Sequence, residues 1–100
     1  MITIRLGATG HAFLSSRPMA KYLRESIDTA LRAGADEIVL DFSGVEAVTD
    51  SFTDELLGAL IATADRDILP LLRFKGCTEA VRSAIEALLH EVTARRAGAV

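Results

Sequence analysis

The chain has 100 residues, half of them hydrophobic and a quarter charged, with a formal net charge of −3. That length supports one core, so a single domain over residues 1–100 is expected. The acidic balance argues against a general nucleic-acid surface, which needs a basic excess. No apolar run approaches the ~18–20 residues that cross a bilayer. The opening MITIRLGATG lacks the basic start and long apolar stretch of a secretory signal. The lone Cys77 can form no internal disulfide. The expected setting is therefore a reducing cytoplasm, with no membrane and no nucleic acid as partner. With five aromatic residues and no Trp, the core must be aliphatic and Ala-rich.

In chain order, Ile2, Ile4 and Leu6 alternate with Thr3 and Arg5, the pattern of a half-exposed strand. Gly7 to Gly10 reads as a turn and His11 to Leu14 as a second short strand, so the two are expected to pair as an edge hairpin. Ser16 and Pro18 suit a helix start. Met19, Leu23, Ile27 and Leu31 then repeat at helical spacing until Gly34. Ile38, Val39, Leu40 and Phe42 form a continuous apolar run around Asp41, as in a parallel strand covered on both faces. At Thr49-Asp50-Ser51 the pattern turns helical, with Phe52, Leu56, Leu60 and Ala64 four residues apart. Ile68 to Phe74 should contain another strand, with Pro70 at its start or at an edge. Thr78 caps a third helix carrying Val81, Ile85, Leu88 and Val92, and residues 94–100 read as a fraying tail. The order β-β-α-β-α-β-α implies an α/β fold, a small mixed sheet of about four strands covered by three helices.

Three pieces of this pattern together carry a resemblance: Ser16-Arg17 opening the first helix, Val39-Leu40-Asp41-Phe42-Ser43-Gly44-Val45, and Ser51-Phe52-Thr53-Asp54-Glu55-Leu56. From roughly Ile2 to Val92 the chain resembles the STAS-like family, bacterial domains of largely uncharacterised function related in fold to anti-sigma-factor antagonists. In those antagonists the strand-to-helix loop carries Asp-Ser-Ser-Gly-Leu. One of its serines is phosphorylated by a partner that is both a kinase and an anti-sigma factor. An ungapped alignment from Val39-Leu40 puts Ser51 in the phosphoserine slot, Asp50 in place of the first serine, Thr49 in place of the aspartate and Phe52 in place of the glycine. Matching the aspartates instead aligns Asp50-Ser51 and moves Phe52 into the phosphoserine slot. The motif is incomplete in either register.

The chemistry of the residues themselves is plainer. Ser51 fits a helix cap, worth on the order of 1 kcal/mol. A phosphate there would add roughly −1.5 to −2 charges, favoured by the helix N-terminus and opposed by Asp50, Asp54 and Glu55. Asp54 and Glu55 are adjacent and diverge by about 100° on a helix, so they do not form a general acid/base pair. Either is an exposed first-turn carboxylate favoured by the helix dipole, or one of them forms an ion pair with Arg17. Asp41 falls within an apolar strand and suits an exposed strand end or a loop cap. His11, His90 and Cys77 match no zinc spacing, and two histidines give no triad.

These readings lead to a non-catalytic regulatory interaction module with no metal and no cofactor. It would bind a protein partner through Thr49, Asp50, Ser51, Phe52, Asp54 and Glu55. The resemblance implies a histidine-kinase-type ATPase or an anti-sigma factor as that partner, with phosphorylation at Ser51 as a switch. The alternatives are a small-molecule or nucleotide sensor, or a unit that assembles with itself, for example as a homodimer.

Overall fold

The computed structural model describes residues 1–98. The elements in order are β1 (Ile2–Arg5), a 3-10 turn (Leu6–Thr9), β2 (Phe13–Leu14), α1 (Arg17–Arg32), β3 (Ile38–Asp41) and β4 (Ala47–Val48). They are followed by α2 (Asp50–Thr53), a π-helical segment (Asp54–Gly58), α3 (Ala59–Thr63), a 3-10 turn (Leu69–Leu71), β5 (Leu72–Lys75) and α4 (Glu79–Gly98). α2, the π segment and α3 run on as one unbroken helix, so three helical bodies stand beside the strands, as the hydrophobic periodicity requires. The tail expected over residues 94–100 continues α4 as far as Gly98, and its remainder lies outside the described residues.

The main sheet has the order β1-β3-β5 and both of its pairings are parallel. The expected hairpin does not form. β1 pairs with β3, and β2 pairs in parallel with β4 in a separate two-stranded sheet. The 3-10 turn after β1 carries the chain onward instead of folding it back, and Leu6 at its start and Leu14 in β2 both enter the core. α1 is then the crossover for both parallel pairs, the connection that parallel strands need. The strand expected from Ile68 begins only at Leu72. Pro70, lacking an N–H, sits in the 3-10 turn before it.

Burial alternates along the central strand. Ile38 and Leu40 are fully buried, whereas Val39 and Asp41 are partly exposed. β5 behaves alike, with Leu72 buried and Arg73 and Lys75 exposed. The expectation of a strand covered on both faces is therefore corrected. α1 and α4 each pack against the second helix, and the alternating burial makes Val39 a half-covered position within its apolar run. Phe42, expected to continue the strand, lies just past it and is fully buried at the turn.

The carboxyl ends of the strands are drawn tightly together. A Cβ at Gly76, whose φ is +69°, would meet the Ser43 hydroxyl and lie 2.8 Å from the Ser43 nitrogen. A Cβ at Gly7 would collide with the Ser43 carbonyl oxygen. Ser43-Gly44 is thus wedged between the loops that follow β1 and β5. That wedge sets where the chain leaves β3 for the second helix.

Candidate functional site: the strand-to-helix elbow

The elbow is built from the turn after β3, from β4 and from the first turn of the second helix. Thr49 has extended backbone angles, and its Oγ1 accepts a hydrogen bond from the Phe52 N–H at 3.2 Å. Thr49 is therefore the cap, not Ser51. The helix starts at Asp50, within the expected Thr49-Asp50-Ser51 switch but two residues before the start that a Ser51 cap implies, and this places Ser51 inside its first turn. There the Ser51 Oγ lies 3.1 Å from the Thr49 Oγ1. The Thr53 hydroxyl donates to the Asp50 carbonyl at 3.0 Å, which satisfies a side chain that is only 3% exposed.

Of the residues assigned to a contact surface, Thr49, Asp50 and Asp54 are exposed and Ser51 and Glu55 are partly so. Phe52 is a correction, because it is fully buried. Its spacing to Leu56 puts both on the core stripe of the helix, so Phe52 anchors the elbow from beneath and offers nothing to a partner. A bulky residue is accommodated there because its side chain points inward.

Glu55 lies at the junction of two helices. Its Oε2 is 2.6 Å from Nη1 of Arg24, and its Oε1 is 3.6 Å from Nη1 of Arg17. The same Arg24 nitrogen donates to the Glu55 carbonyl at 2.9 Å. Arg24 is the residue that sequence reasoning missed. It follows Arg17 by two helical turns and so faces the same way, which was the available signal. Glu55 also falls in the π-helical segment, where the Ala59 N–H reaches back five residues to the Asp54 carbonyl. Single π turns of this kind often accompany functional sites.

Arg17, Asp50, Ser51 and Asp54 line a groove of about 490 Å³ whose far wall is α4, through Leu88 and Arg95 among others. α4, which the sequence marks only as a core helix, is thus part of the site. Arg95 pairs with Glu91 at 3.3 Å. Asp50 and Asp54 make no ion pair among the described residues, so they leave the groove with unmatched negative charge.

A second polar group surrounds Asp41. Its Oδ1 accepts from the Ser43 N–H at 2.9 Å. Hydrogen bonding by the Ser43 side chain, then by its backbone, holds the carboxyl below its ordinary range, with Lys75 and Arg5 adding to the effect. Asp41 is thus the loop cap of the turn. Burial raises the Cys77 thiol, with Arg82 opposing and Asp41 assisting. Among the described residues no three His, Cys, Asp or Glu side chains gather as metal ligands would.

A family model for the STAS-like domain of unknown function matches residues 19–82. The chain belongs to this family. The matched stretch runs from the first turns of α1 to the start of α4, so it contains the elbow, Arg24 and the Asp41 turn. In this STAS-like domain β1 and β2 precede the matched stretch, and most of α4 follows it. No curated protein and no solved structure matches the chain. No helix among the described residues is long and apolar enough to cross a membrane.

Proposed function

We propose that this STAS-like domain is a non-catalytic regulatory module that binds a protein partner at the elbow and the adjoining groove. The observation that carries this reading is the outward placement of Thr49, Asp50 and Asp54 beside the α4 groove, on a base fixed by buried Phe52 and by the Arg24–Glu55 pair. A polar rim is usual at protein interfaces, and a preorganised base lowers the ordering cost of binding. The resemblance of the elbow to the loop of anti-sigma-factor antagonists supports a histidine-kinase-type ATPase or an anti-sigma factor as the partner class. Ser51 is the modifiable hydroxyl of the proposal. A phosphate on it would sit in the first turn of a helix, which favours an anion, beside Asp50 and Asp54, which oppose it. Unmodified, the rim presents negative charge to a basic surface.

Affinity capture from the native cell tests this. The wild-type chain should retain a protein with an ATP-binding kinase fold, and Asp50→Arg/Asp54→Arg and Ser51→Asp should each change its recovery. Equal recovery with all three chains would end the proposal.

A further inference from the structure

Sheets made only of parallel strands are nearly always covered on both faces. Here the sheet β1-β3-β5 is covered on one. Its register aligns two rows across the bare face, Thr3–Val39–Arg73 and Arg5–Asp41–Lys75. Arg5, Arg73 and Lys75 are exposed, and Val39, at the centre of the first row, is the one apolar residue among the six. The face therefore carries three cations against one carboxylate, on a chain whose net charge is −3. That carboxylate, Asp41, keeps its charge beside Lys75 and Arg5, so the face retains an excess of two cations. None of the three cations forms an ion pair with a carboxylate among the described residues. The Arg73 guanidinium is braced by the carbonyls of Pro70 and Leu72 at 2.9 and 3.0 Å, which orders it while leaving its charge unmatched.

We propose that this face docks one acidic amphipathic helix from a partner protein. Three strands of four residues make a patch about 14 Å wide and about 13 Å long. That suits a single helix of roughly 10–12 Å diameter, the element that ordinarily covers such a sheet. An apolar side chain of the helix would rest on Val39, with carboxylates reaching Arg5, Arg73 and Lys75. Charge complementarity selects an acidic segment and disfavours the same face of a second copy, because two such faces would oppose cation to cation. The surface is distinct from the elbow groove, whose unmatched charge has the opposite sign.

The test is photo-crosslinking in the native cell with benzoylphenylalanine replacing Val39, followed by sequencing of the attached peptide. The expected product is a peptide with Asp or Glu at helical spacing around an apolar residue. Its yield should fall about tenfold or more in Arg73→Glu/Lys75→Glu, where attraction becomes repulsion. Asp50→Arg/Asp54→Arg, which disables the elbow, should leave the yield unchanged. Attachment only to another copy of this chain, attachment to nucleic acid, a yield indifferent to the charge reversal, or no product would each overturn the proposal.

Discussion

Glu55 receives two arginines, and the structure ranks them. Arg24 approaches to 2.6 Å, is 21% exposed, and also donates to the Glu55 carbonyl, whereas Arg17 stands 3.6 Å away and is 56% exposed. Hydrogen bonds to charged groups contribute about 1.5–3 kcal/mol, and partial solvation places Arg24 toward the lower end. Arg24→Ala should therefore destabilise the domain by about 2 kcal/mol. An exposed pair such as Arg17–Glu55 contributes about 0.5 kcal/mol or less. For a domain of this size ~1 kcal/mol moves Tm by about 4–8 °C, so Arg24→Ala should lower it by about 8–16 °C and Arg17→Ala by no more than about 4 °C. Urea unfolding of the single and double variants with Glu55→Ala gives the coupling energies directly. About 1–2 kcal/mol is expected for Arg24–Glu55 and close to zero for Arg17–Glu55. If the two arginines cost the same, or if the Arg24–Glu55 coupling vanished, the view of Glu55 as the clamp between α1 and the elbow would be wrong.

Thr49→Ala should cost about 1 kcal/mol by removing the cap, while Ser51→Ala should change stability by less than about 0.5 kcal/mol; chemical denaturation that reversed this order would restore Ser51 as the cap. Asp41 has a folded pKa below its unfolded one, so it stabilises the fold above the unfolded value, and that contribution is lost as pH falls through the lowered folded value. Carboxyl NMR should show Asp41 titrating below its ordinary 3.8, and Asp41→Asn should make stability less steep in pH across this acid range; a midpoint at or above the ordinary value would refute the turn-cap role. Gly76→Ala combines a left-handed backbone with a collision against Ser43. It should cost about 2 kcal/mol or more by thermal unfolding, whereas a neutral result would mean that the three loops are not wedged together as described.

The apolar spacings at Met19–Leu31, Phe52–Leu60 and Val81–Val92 determined the three helices, because a 3.6-residue period has one structural solution. The turn chemistry of Ser16, Gly34 and Thr78 likewise determined where helices begin and end. The link between the first helix and the Asp54-Glu55 pair was legible as well, but not that Arg24 would be the nearer partner. Distance between side chains on separate helices depends on how the helices cross, which no local pattern encodes. The same limit explains the strand pairing. Two short strands close in sequence are locally indistinguishable from a hairpin, and only the crossover by α1 makes each parallel to a later strand. It also bears on Ser51. A helix start two residues earlier than a Ser51 cap implies makes Thr49 the cap and places Ser51 in the first turn, whereas Phe52 was legible as core from its spacing to Leu56. Finally, Val39 within its apolar run reads as buried. Whether a second layer covers it depends on what stands opposite, and in this fold burial alternates along β3 and β5, with Ile38, Leu40 and Leu72 buried and the Val39 side more exposed.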